Sequence, residues 1–228
     1  MHCRQFIRRK IGNRGDVLSM NAADNILEYL KETYHPSVVI AYGSFATAAN
    51  DSHSDFDALV ITENAQAFHD ASVVDGILLD VFLYAPEYFT SHYEIAEIQQ
   101  IYDGTVLIDR NGLGAALKQE ALAYVNSYQP KSEEEKRMEV SWCRKMLQRA
   151  ERGDAEGYYR WHWLLTDSLE IYCDLAEQRY FGPKKSLAYL KQTNAETYEI
   201  YQNALTCFDG RYLKAWVEYL EHMFNHMK

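Results

Sequence analysis

The chain has 228 residues, is 47% hydrophobic and carries a formal net charge of −10 at pH 7. That length suits one large or two small globular domains, and no run of about 18 apolar residues offers a transmembrane helix. The acidic balance argues against nucleic acid as the main partner, because phosphate contacts need basic surface.

Residues 1–19 hold Arg4, Arg8, Arg9, Lys10 and Arg14 against Asp16, a local balance of +4 that leaves −14 on the rest. With no apolar stretch behind the arginines, this segment reads as a disordered basic tail and not as a secretory signal. The acidic remainder is compatible with a cationic small molecule drawn into an acidic cleft. Cys3, Cys143, Cys173 and Cys207 are widely spaced with no CxxC pair. They predict reduced thiols in a cytoplasmic protein, with neither a disulfide framework nor a zinc ribbon.

In chain order, Ala22–Tyr34 carries a helical stripe of Ala23, Ile26, Leu27, Leu30 and Tyr34, with Asn21 as cap. His35-Pro36 ends it. The β-branched run Ser37–Tyr42 predicts a buried strand, Phe45–Ala49 a short helix, and Asp55–Thr62 a second strand. Ala71–Val74 and Ile77–Leu83 flank Asp75-Gly76, a hairpin signal, and Thr105–Ile108 predicts a further strand.

The second half reads as helix nearly throughout. Helices are predicted over Leu113–Tyr128, from the capping box at Ser132-Glu133-Glu134-Glu135 to about Arg152, and over Ala155–Phe181. Three shorter ones follow near Lys184–Gln192, Ala195–Phe208 and Arg211–His226. The predicted fold class is α+β. A small mixed sheet flanked by helices fills residues 20–112, and an all-α bundle fills residues 113–228.

The chemistry concentrates in Ala41-Tyr42-Gly43-Ser44-Phe45-Ala46 and Ser54-Asp55-Phe56-Asp57. Glycine at a strand-to-helix turn lets the backbone approach a phosphate, and a helix start offers free N–H groups to it. Ser44 adds a hydroxyl donor. Asp55 and Asp57 are spaced to share one face of a strand. Converging carboxylates suit Mg²⁺, which prefers hard oxygen ligands and shares them with substrate phosphates. Asp80, inside the apolar run Leu78–Leu83, supplies a third carboxylate, since a charge there is costly to bury unless paired or metal-bound.

This ordered set resembles the DNA polymerase β-like nucleotidyltransferase superfamily, over about residues 22–110. The shared elements are Gly43-Ser44, Ser54-Asp55-Phe56-Asp57 and the later Asp80. The helical half is similar in texture to the second domains of antibiotic nucleotidyltransferases, such as the kanamycin and lincosamide enzymes. One departure is Ala46-Thr47-Ala48, where many relatives carry an Ala-Arg-Gly step.

The resemblance implies transfer of a nucleoside monophosphate, AMP first, from an NTP to a hydroxyl of a small acceptor such as an aminoglycoside or lincosamide, with release of pyrophosphate. It implies two Mg²⁺ ions on Asp55, Asp57 and Asp80, and nucleotide contacts from Gly43, Ser44 and Lys184. The general base is Asp80 or a glutamate of the helical half, Glu139 among the candidates. A protein-adenylylating enzyme of antitoxin type and a non-catalytic nucleotide-binding module are the competing functions. His222 and His226 share a helix face but lack a third ligand, so they read as surface histidines. Trp161, Trp163, Tyr158, Tyr159 and Tyr172 crowd one helix, as core or as the lining of an acceptor pocket.

Overall fold

The computed structural model describes residues 22–46, 54–63, 68–91 and 93–226. The basic tail and the Asn21 cap lie outside the described residues, as do Thr47 and Ala48. Two compact units divide the chain, residues 1–126 and 127–228.

In the first unit, helix α1 (Ala22–Tyr34) precedes strand β1 (Val38–Tyr42), and a single helical turn α2 (Gly43–Ala46) follows it. Then come β2 (Phe56–Ile61), β3 (Phe68–Asp70), β4 (Val73–Val74) and β5 (Ile77–Tyr84). Two 3₁₀ segments, Pro86–Phe89 and Ile95–Asp103, lead to β6 (Thr105–Asp109) and helix α3 (Leu113–Asn126). The sheet order is β3-β5-β2-β1-β6, with β4 paired to β5. β2 and β5 run parallel, whereas β1 is antiparallel to both β2 and β6. The architecture is mixed α+β, as the sequence predicts.

The strand pattern sorts side chains to two faces. Val39, Ala41, Phe56, Ala58, Val60, Leu79, Val81 and Leu83 pack with Ile26 and Leu30 of α1. Val38, Ile40, Tyr42, Leu59 and Ile61 pack on the other face with Ile98, Ile101, Leu117 and Ala121. β1 is therefore buried along its whole length, which is why its sequence is a continuous apolar run and not an alternation.

The boundary between the units differs from the sequence reading. α3 falls within the first unit, where Leu117 and Ala121 help cover the sheet. Its helical sequence groups it with the second half, but its apolar face belongs to the first core. The Asp75-Gly76 turn is as expected: both residues have positive φ, 50° and 83°, the pairing that a type I′ hairpin turn requires.

β3 is not anticipated, because Phe68-His69-Asp70 shows no apolar alternation. A side-chain network fixes it instead. Asp70 is buried, and its Oδ2 accepts hydrogen bonds from Tyr34 Oη at 2.8 Å and Tyr29 Oη at 3.2 Å. The backbone N–H of Ser72 donates to its Oδ1 at 2.8 Å. Burial, reinforced by Asp70, pushes the Tyr34 phenol up, so it stays a neutral donor to the carboxylate.

The second unit contains α4 (Glu133–Ala150), α5 (Ala155–Leu175), α6 (Gly182–Thr193), α7 (Ala195–Thr206) and α8 (Gly210–Asn225). The predicted capping box forms: Ser132 accepts from the Glu135 N–H, and the Glu135 carboxylate accepts from the Ser132 N–H. Trp161, Leu164, Tyr172, Tyr201, Trp216 and Leu220 are among the buried core residues. The polar atoms of the core's large aromatics are satisfied, with Trp216 Nε1 donating to Ser168 Oγ at 2.8 Å and Trp161 Nε1 to the Ala204 carbonyl at 3.0 Å. The α5 aromatics divide: Trp161 and Tyr172 are core, whereas Tyr158, Tyr159 and Trp163 are exposed.

α5 ends six residues earlier than its composition suggests. The Gln178 N–H reaches back to the Cys173 carbonyl at 2.9 Å, the Glu177 N–H to Asp174 at 3.1 Å, and Glu177 sits at φ 54°. This is a Schellman stop with glutamate where glycine is usual. The Glu177 side chain has a partner of its own: Oε1 accepts from the buried Lys136 ammonium at 2.9 Å. Glu177→Ala strands that ammonium and is expected to cost about 2–3 kcal/mol in denaturant unfolding. The double variant Lys136→Met/Glu177→Gly, which removes the charge and relaxes the backbone, should recover most of that loss. An unchanged midpoint in Glu177→Ala would show that the pair carries no weight.

Candidate functional site

The sheet brings the predicted carboxylates to one place through register. In the parallel β2–β5 pair, Asp57 lies opposite Asp80. Paired residues on neighbouring strands point to the same face, with strands about 4.8 Å apart. That face is the one carrying Tyr42, Leu59 and Ile61. The α3 and 3₁₀ cover does not bury it at β5, where Asp80 is partly exposed and Phe82 is exposed.

Across the antiparallel β1–β2 pair, Asp57 faces Tyr42. Tyr42 is 7% exposed. Burial pushes its phenol up; the Gln100 side chain opposes the shift, while Asp57 and Asp80 reinforce it. Tyr42 therefore stays neutral beside two carboxylates. Its place in an apolar strand reads as core, and only its pairing with Asp57 reveals the polar neighbourhood.

The turn after β1 closes on the same point. Gly43 has φ 70°, a left-handed conformation that favours glycine. A Cβ placed there would collide with the Asp57 carboxylate, whose Cγ would lie only 3.1 Å from it. Gly43 is thus favoured by its backbone conformation, and any side chain there would have to move the Asp57 carboxylate. Ser44 follows within α2 and is buried. The sequence-predicted set Gly43, Ser44, Asp57 and Asp80 is gathered at the end of β1 and along β2 and β5. Asp55 stands two residues before Asp57, in the exposed segment just ahead of β2. Lys184 belongs to the second unit, exposed in the first turn of α6.

One partner of Asp80 is invisible to motif reading. His69 Nε2 lies 2.6 Å from Asp80 Oδ1, and the imidazole stacks on Phe82 with centroids 4.7 Å apart and planes at 26°. Residue 69 pairs with Phe82 across β3–β5, so it reaches Asp80 diagonally.

Among the described residues, no three Asp, Glu, His or Cys side chains enclose a point that could hold a metal ion. The donor chemistry nonetheless fits Mg²⁺. The ion is commonly held by one or two carboxylates with water and substrate phosphate oxygens completing its shell, not by a closed protein cage. Paired aspartates, one of them partly exposed, are the donors such a half-site needs.

No protein-family model matches the chain. No curated protein matches it either. Among solved structures, it is similar to a nucleotidyltransferase-like protein from Exiguobacterium sibiricum 255-15. The match has 13% identity and a TM-score of 0.39, covering 90% of this chain and 73% of that one. No helix among the described residues is long and apolar enough to cross a membrane.

Proposed function

We propose that the protein is a Mg²⁺-dependent nucleotidyltransferase that moves AMP from ATP to a hydroxyl of a cationic small molecule in the cytoplasm. The observation that carries this reading is the in-register Asp57–Asp80 pair with Gly43 packed against Asp57. A structural role alone gives no reason to set two carboxylates opposite each other with a left-handed glycine turn packed on one of them.

Asp55, Asp57 and Asp80 would hold two Mg²⁺ ions, which would neutralise triphosphate charge and make the acceptor hydroxyl more acidic. The Gly43-Ser44 turn would present its backbone to the triphosphate. The acceptor oxygen attacks the α-phosphorus, the bond to the bridging oxygen breaks, and pyrophosphate leaves. Asp80 takes the hydroxyl proton. Positioning and charge neutralisation supply most of the rate.

A cationic acceptor is favoured by the acidic body, which carries −14 outside residues 1–19. The helical unit has a cavity of about 550 Å³, where Lys131 stands among Glu139, Asp167 and Glu170, beside Met138, Trp142 and Ile171. Burial pushes the Glu139 carboxyl up against the opposing bond from Lys131. Its Oε2 is buried with no hydrogen-bond partner among the described residues. Trp142, in that lining, packs edge to face with Trp163 at 5.9 Å.

The test is a screen of the four NTPs with Mg²⁺ against aminoglycosides and lincosamides. It is read by the acceptor's gain of one nucleoside monophosphate in mass and by pyrophosphate release. An acceptor modified only when NTP and Mg²⁺ are both present is the expected result. Pyrophosphate formation that tracks adenylylation of a co-purifying protein would instead favour the antitoxin-type reading. Nucleotide binding without turnover on any acceptor would favour a regulatory module.

A further inference from the structure

We infer that His69 is a positioning residue for Asp80, fixing one carboxylate oxygen so that the other is presented to the divalent cation; this rests on the nucleotidyltransferase reading of Asp57 and Asp80. Three observations combine. The imidazole Nε2–H donates to Asp80 Oδ1 at 2.6 Å. The ring has little freedom to leave, because its face lies on Phe82 at 4.7 Å. The strand bearing it is fastened from beneath by the buried Asp70, one residue on, which Tyr29 and Tyr34 of α1 hold.

The arrangement is hard to explain as packing. β3 is three residues long, and Phe68 and His69 are exposed. The Asp70 network secures a strand that contributes only one buried side chain, that of Asp70 itself. What the strand delivers is an imidazole beside Asp80. Asp80 thus has a fixed neighbour on each side: Asp57 on β2 and His69 on β3. A carboxylate held by one oxygen loses rotational freedom before the cation arrives. Partners of this kind typically matter 10–100-fold to metal affinity.

The experiment is calorimetric titration of the full chain with Mn²⁺ in the presence of a non-hydrolysable ATP analogue, alongside thermal melts. His69→Ala is expected to weaken Mn²⁺ binding about 10-fold or more, with an unchanged melting midpoint, because the ring is half exposed. His69→Gln, which keeps an N–H donor within reach of Asp80, should recover most of the affinity. Phe82→Leu, which removes the stack but leaves the imidazole, should fall between wild type and His69→Ala. In turnover assays the His69→Ala loss should appear in the Mg²⁺ concentration required and leave the KM for the acceptor alone. Unchanged or tighter Mn²⁺ binding in His69→Ala would overturn the assignment while leaving the carboxylate pair intact. A wild-type protein that takes up no Mn²⁺ with nucleotide would overturn the enzyme reading and this assignment together.

Discussion

Asp57→Asn is expected to reduce pyrophosphate release at least about 1000-fold, equivalent to roughly 4 kcal/mol of transition-state stabilisation. The substitution keeps the shape of the side chain and removes its charge. Asp57 faces Tyr42 on one side and Asp80 on the other. Its loss leaves Asp80 as the one charged group of that pair, so the cations proposed to neutralise the triphosphate lose a ligand. The fold should survive, with stability changed by no more than about 1 kcal/mol, since the strand stays paired and its core-facing neighbours Phe56 and Ala58 are untouched. Circular dichroism and a denaturant titration check the fold, and a coupled pyrophosphate assay checks the chemistry. Full turnover in a folded Asp57→Asn variant would remove the mechanism.

The second large effect is predicted for Gly43→Ala. Alanine at φ 70° costs about 1–2 kcal/mol by itself. Its Cβ must also displace the Asp57 carboxylate, so the total should reach about 2–4 kcal/mol in unfolding free energy. Activity should fall with it, because the displaced group is the proposed cation ligand. Gly76→Ala is the control. Gly76 has φ 83°, but an added Cβ meets nothing within 4 Å, so it should cost only about 1 kcal/mol and leave turnover intact. The difference between the two measures the contact between the turn and the carboxylate, separately from backbone strain. Equal losses would mean that this contact is unimportant.

Much of the site is legible in the sequence because register follows from simple alternation. Once β2 and β5 are recognised as strands, Asp57 and Asp80 each interrupt an apolar run, which marks them as candidate cation ligands. That they lie opposite each other follows from parallel pairing, which the hairpin at Asp75-Gly76 does not reveal. The helical half is legible through its caps, Ser132 with Glu135 and Asn194 with the Thr197 N–H.

Other features are hidden for identifiable reasons. β3 is held by side-chain bonds to Asp70 and not by an apolar pattern, so His69 cannot be placed beside Asp80 by periodicity. The 3₁₀ segment Ile95–Asp103 does carry a signal, Ile95, Ile98 and Ile101 at every third residue, which matches three residues per turn. α5 overruns in the sequence reading because Glu177, at the left-handed stop, carries no glycine signature; its side chain pairs with Lys136, 41 residues earlier. α3 is assigned to the helical half because composition reports helix and says nothing of which core a helix covers.

The most direct test of the central claim is Mn²⁺ binding followed by electron paramagnetic resonance, with a non-hydrolysable ATP analogue. Wild type, Asp57→Asn and Asp80→Asn are compared at equal protein concentration. A cation held jointly by the two strands predicts bound Mn²⁺ in the wild type and its loss in each single variant, with the folds preserved. Bound Mn²⁺ that persists undiminished in both variants would contradict the account.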